Sequence, residues 1–173
     1  VTPSPRIGTL EAVIARKDTV KPLRDRVRLP MRALFVGINP GIRSALTGHH
    51  FAGYSNRFWN LLFESGLVPE RVGAADDVRL AGWGYGITNL VARPTPGIDT
   101  LRRDEYLAGA RVLRRKVRRW KPPVVALVGV TLYRSLFPNA SRTPPVLGLR
   151  QERFEDARVF VLPNPSGRNA NYS

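Results

Sequence analysis

Short apolar runs that stop abruptly on polar, turn-forming residues punctuate this chain. The first, Ala33-Leu34-Phe35-Val36-Gly37-Ile38, breaks on Asn39-Pro40-Gly41. Consecutive, non-alternating apolar residues predict a strand covered on both faces, as in a parallel sheet. Ile87–Val91 predicts a second strand, broken by Ala92-Arg93-Pro94-Thr95-Pro96-Gly97, and Val124–Val130 a third. Gln151–Phe154 and Arg158–Leu162 predict two more around a Glu-Asp-Ala turn. The last of these breaks on Pro163-Asn164-Pro165-Ser166-Gly167-Arg168, so the opening pattern recurs at the far end of the chain.

Helical spacing lies between the runs. Phe58, Trp59, Leu61 and Leu62 predict a helix that starts at Ser55 or Asn56 and ends near Gly66. Another is expected over Ala75–Ala81, with Asp76 and Asp77 at its positive end. The clearest spans Asp104–Trp120, where Tyr106, Leu107, Ala110, Leu113, Val117 and Trp120 form an apolar stripe. Arg111, Arg114, Arg115, Arg118 and Arg119 fall mostly on the other side, as a solvated face. Thr131–Phe137 predicts a short helix, and Pro138–Gly148 an irregular segment. Ile42–Tyr54 is polar and broken by glycines, which predicts a loop over the end of the first strand.

Alternating strands and helices predict one α/β domain over 31–173. Residues 1–30 read as an N-terminal arm, with Thr9 capping a short helix at Leu10–Arg16 and a charged, solvated connector leading to Pro30. The chain opens on Val rather than Met, which suggests a trimmed start.

Charge sharpens this outline. Lys and Arg number 28 against 13 Asp and Glu, a formal net charge of +15. Such a field draws polyanions, and arginine's planar fork suits phosphate, so nucleic acid is the expected partner. No stretch reaches transmembrane length, and no membrane partner is expected. The absence of cysteine excludes disulfides, thiolate metal sites and thiol nucleophiles. His49 and His50 are the only histidines and have no partner at metal-site spacing, so no bound metal is expected. A monomer in the cytoplasm, with the nucleoid or in a nucleus, fits these features.

Ligands of parallel sheets bind outside the carboxyl ends of the strands, where Asn39 sits. Pro40 biases Asn39 toward extended backbone, so its side chain is aimed. Asn89 and Thr95 are placed to face the same crevice. Phe51 stands in the polar segment, off any periodic face, where an aromatic ring can stack on a flat ligand. Taken alone, Asn-Pro-Gly is ordinary turn chemistry.

In combination the motifs say more. Gly37-Ile38-Asn39-Pro40-Gly41 with Asn164-Pro165-Ser166-Gly167 resembles the two signature motifs of the mismatch-specific uracil-DNA glycosylases and thymine-DNA glycosylases. The resemblance extends through Gly48-His49-His50-Phe51, Asn56-Arg57-Phe58-Trp59, Gly86-Ile87-Thr88-Asn89-Leu90-Val91 and Arg93-Pro94-Thr95-Pro96-Gly97, in the family's order. It implies a three-layer α/β/α sandwich with a short, mainly parallel central sheet. It also implies a monofunctional, cofactor-free enzyme that flips a mismatched or damaged base out of double-stranded DNA and cuts its bond to deoxyribose. By the same resemblance Asn39 positions the attacking water and Thr95 helps hold it. Phe51 stacks on the extruded base, and Ile38, Asn89 and His50 lie about its edge. Ser44, Asn164, Ser166, Gly167 and Arg168 belong to the DNA contact, with Arg168 as the wedge.

Arg168 and His49-His50 lean toward the thymine-DNA glycosylases, since the bacterial mismatch enzymes carry leucine at the wedge. Asp99, Asp76 and Asp77 are candidates to assist the sugar cation, with turn and cap roles as the alternative. The family's helix after the second motif is expected to be missing, because the chain stops at Ser173. Two other readings compete: a non-catalytic reader of mismatched DNA, and a mononucleotide enzyme, which lacks its glycine-rich phosphate loop here.

Overall fold

The computed structural model describes residues 22–140 and 146–167. The arm and the helix expected at Leu10–Arg16 lie outside the described residues, as do Arg168 and all that follows it. Among the described residues five strands form one sheet in the order β2-β1-β3-β5-β4. They are β1 (Ala33–Gly37), β2 (Tyr85–Asn89), β3 (Val124–Val128), β4 (Gly148–Phe154) and β5 (Ala157–Leu162). All neighbours run parallel except the β4–β5 pair.

The sheet separates two apolar layers, which is why β1 needs an uninterrupted apolar run. Leu34, Val36 and Ile38 face a core shared with Leu113 and Val117 of helix α3 (Arg103–Trp120) and Leu132 and Leu136 of helix α4 (Val130–Leu136). Phe35 faces the other way, onto Phe58, Trp59 and Leu62 of helix α2 (Phe58–Glu64) and Leu80 of the 3-10 helix Ala74–Trp83. The expected α/β/α layering follows from this alternation. Leu107, placed by spacing on the α3 stripe, is instead half-exposed; Leu113 and Val117 carry the burial.

Two segments depart from expectation. Ile42–Thr47, read as loop, is a helix, α1, stopped by Gly48 at φ 76° in the left-handed region. No glycine interrupts its six residues; of its polar residues Arg43 and Thr47 are exposed, while Ser44 is buried.

Residues 22–30, read as solvated connector, touch the edge of β2 through one antiparallel bridge. Arg26 N–H donates to Ile87 O at 2.9 Å and accepts at its own carbonyl from Ile87 N–H at 2.8 Å. Asp25 pairs with Lys116 at 2.8 Å and accepts from Thr88 Oγ1 at 2.6 Å, while Arg26 binds the buried Asp77 at 3.0 Å. Two of the charges that made this stretch look solvated, Asp25 and Arg26, have buried or half-buried partners far away in sequence, while Arg24 and Arg28 are exposed.

Candidate active site

The polar breaks after β1, β2 and β5 converge at the carboxyl end of the parallel strands. They wall a cleft of about 470 Å³. Of the residues singled out above, Ile38, Asn39, Ser44, His50, Phe51, Asn89, Thr95, Asn164 and Ser166 line it. Gly167 stands just outside and Arg168 is outside the described residues.

Asn39 is held by its amide nitrogen. Nδ2 donates to Thr95 Oγ1 at 2.7 Å and lies 3.2 Å from the carbonyl oxygens of Arg93 and Pro40. Two carbonyls can only accept, so the NH2 must face them, and Oδ1 is left as the acceptor facing the cleft. Thr95, buried at 2% exposure, spends its own proton on Gly97 O at 2.7 Å. Its hydroxyl therefore helps fix Asn39.

The same logic fixes Asn89. His50 is buried, and its Nε2 lies 3.0 Å from the Arg24 carbonyl. A carbonyl cannot donate, so Nε2 carries the proton. Burial pushes the His50 pKa below its ordinary value, which keeps the ring neutral and leaves Nδ1 a bare acceptor. Asn89 Nδ2, 3.4 Å away, donates to it. Asn89 Oδ1 is then turned toward Gly37, where a built Cβ would come within 2.6 Å of it. Only glycine leaves that oxygen room. His50, expected at the base edge, has both ring nitrogens occupied by protein groups.

Phe51 packs one face on Phe58, centroids 4.1 Å apart and planes 22° from parallel, and remains partly exposed toward the cleft. Gly41 caps α1 in extended backbone, at φ −70°, and a Cβ there would meet nothing within 4 Å. Gly41 lines the cleft, and a larger residue there would meet open space rather than strain the chain. Ser44 is buried, and its Oγ accepts from Ala52 N–H at 3.0 Å, tying α1 to the loop that carries Phe51. On the opposite wall Asn164 Oδ1 accepts from Ser166 N–H at 3.0 Å, an Asx turn that presents Ser166. Gly167 lies so close to Ser55 that a built Cβ would be 2.4 Å from Ser55 Cβ.

The aspartates separate cleanly. Asp76 accepts from Gly73 N–H at 3.0 Å and starts the 3-10 helix. Asp77, fully buried, binds Arg26, His49 Nδ1 at 3.2 Å and His50 N–H at 3.0 Å, so it braces the histidine turn from behind. Asp99 alone of the three lines the cleft. Sequence reasoning missed Leu23, which lines the cleft, and Arg24, which acts through a carbonyl that any residue would supply.

With the cleft defined, its kinship is clear. The sequence profile of the uracil DNA glycosylase superfamily matches residues 26–173, and the chain belongs to that superfamily. A G/U mismatch-specific uracil DNA glycosylase of Schizosaccharomyces pombe is 42% identical over 148 residues, covering 82% of this chain and 46% of that protein. The chain thus spans just under half the length of the curated relative it matches.

Proposed function

We propose that this protein is a monofunctional glycosylase that removes uracil opposite guanine from double-stranded DNA, acting as a monomer and without metal or organic cofactor, wherever the cell keeps its DNA. One observation carries the reading. The locked amide of Asn39 leaves a single, fixed acceptor at the floor of a cleft walled by Phe51 and Asn89.

The chemistry follows from these groups. A base inside a duplex is unreachable, and a mispaired one is extruded at lower cost. The extruded uracil stacks on Phe51, with its N3–H toward Asn89 Oδ1 and its O4 toward the second Asn89 N–H. Asn39 Oδ1 accepts a hydrogen bond from water and so points a water lone pair at the sugar C1′. Asparagine has no proton to exchange near neutral pH, so it orients water without activating it. As the bond breaks, negative charge spreads onto the uracil carbonyls, where the Asn89 N–H stabilises it. The cationic sugar is near Asp99. Thr95 acts through Asn39, and Asn164, Ser166 and Gly167 meet the DNA beside the lesion. Thymine and other bases compete for the space left open at Gly41.

The deciding measurement is a G·U duplex incubated with pure protein and then opened with alkali at abasic sites. Strand cleavage is expected. An intact duplex, bound with mismatch preference, would instead identify a non-catalytic reader. Asn39→Ala should cut the single-turnover rate by about 100-fold or more, the cost of a misplaced reactant, while duplex affinity stays within about twofold. Equal rates would place water positioning elsewhere.

A further inference from the structure

Tyr54 is the most exposed large apolar side chain among the described residues, at 90% exposure. It is nonetheless held. The Arg43 guanidinium carbon lies 3.7 Å from its ring centroid, a close stack. Arg43 in turn donates from Nε to Ala52 O at 2.7 Å. Ala52 also bonds Ser44 through its N–H, so α1 and the loop before Tyr54 are laced together by two adjacent ties. An exposed ring with one face occupied by a cation keeps the other face open in a fixed place. Nothing in the reaction described above uses it.

Its place on the rim indicates its use. Gly53 and Ser55, its two chain neighbours, both line the cleft. Ser55 is in close approach with Gly167, and Arg57 N–H donates to Pro165 O at 2.9 Å, so the Tyr54 loop and the 164–167 loop form one continuous edge. DNA that delivers a base over Phe51 must cross that edge. Once a nucleotide is extruded, its neighbours in the stack each expose a bare face, and these are the only bare base faces a duplex offers away from its ends.

We propose that Tyr54, backed by Arg43, is a stacking platform for a nucleobase bared by extrusion, with the Arg43 terminal N–H groups contacting the adjoining phosphate. A cation behind the ring raises no barrier to this, because guanidinium, aromatic ring and base stack in sequence. The proposal rests on the base-flipping reading above, but it predicts binding, not bond cleavage.

The test uses a G·U duplex whose uridine carries fluorine at the sugar C2′, which destabilises the cationic sugar and blocks excision, beside a fully paired duplex of the same sequence. Tyr54→Ala should weaken binding to the mismatched duplex by about tenfold, within the range for loss of one base–aromatic stack, and leave the paired duplex unchanged. Tyr54→Phe should keep parent affinity for both. A 5-bromouracil next to the mismatch should crosslink on irradiation to Tyr54 in the parent. Equal binding of Tyr54→Ala and parent to the mismatched duplex overturns the proposal, as does equal weakening on both duplexes, which would mark a general contact. If the parent itself has no preference for the mismatched duplex, the glycosylase reading fails first.

Discussion

At the scale of single residues, the site is a matter of which way two amides point. Asn39 is oriented by two carbonyls and a hydroxyl, and Asn89 by a histidine tautomer that the Arg24 carbonyl selects. If His50 sets Asn89, then His50→Phe removes the acceptor, frees the amide to turn over, and narrows discrimination of uracil from cytosine. We expect uracil kcat/KM to fall about tenfold, roughly one positioning hydrogen bond. His50→Gln keeps a donor for Arg24 and an acceptor for Asn89 and should recover most of the loss. Equal values for both variants would assign His50 to packing alone. Stability carries the same signature. Below the ordinary histidine value of 6.5 the unfolded chain takes up a proton at this ring that the folded chain resists. The stability is therefore present above that pH and falls as pH drops, and His50→Gln should flatten this limb of a melting-temperature profile.

At the scale of elements, the loops that carry these residues need bracing, and the loop after β2 has a visible brace. Glu105, at the start of α3, takes Arg93 in a fork, at 2.7 Å to Nε and 2.9 Å to Nη2, and accepts from Arg102 N–H at 2.9 Å. The Arg93 side-chain and Arg102 N–H bonds hold the Glu105 carboxyl down at about 2. Because the folded value is depressed from 4.5, the stabilisation is present above that pH and lost as pH falls toward 2. Glu105→Gln should lower the melting temperature at about pH 6 and converge with the parent near pH 2 to 3, while excision slows a few-fold because Arg93 O no longer sits firmly against Asn39. A pH-independent gap between the two would show that the carboxylate's charge is not what braces the loop. The sequence makes part of this scale legible. The strand ends could be read because Asn39, Thr95 and Asn164 follow apolar runs closely, and local chain direction alone sends them to one side of a parallel sheet. The helix Ile42–Thr47 and the edge segment at Arg26 could not. The first is under two turns long, too short for Ile42, Ala45 and Leu46 to establish a helical period against the glycines around it, and the second is decided by Ile87 and Asp77, partners more than 50 residues away. Backbone roles such as that of Arg24 leave no mark in a side-chain pattern at all.

At the scale of the whole molecule, charge and chemistry are divided between the surface and the cleft. Much of the acid is spent inside ion pairs: Asp25 with Lys116, Asp77 with Arg26, Glu105 with Arg93, and Glu155 with both Arg114 and Arg118. The cation excess behind the net charge of +15 is left to the outside. The groups proposed to handle the base and the water, by contrast, are neutral: two amides, an aromatic ring and a histidine held without charge. Salt should therefore separate the two stages. Affinity for duplex rests on displaced counterions, with a slope near −0.9 per phosphate neutralised, so four contacts imply about a hundredfold loss between roughly 50 and 200 mM salt. The bond-breaking step, measured in single turnover with protein in saturating excess, should change less than about twofold over that range, since screening acts on exposed charges and scarcely on buried neutral ones. A single-turnover rate that fell in parallel with affinity would mean that surface charge takes part in the chemical step, and the proposal that oriented water at Asn39 drives it would have to be given up.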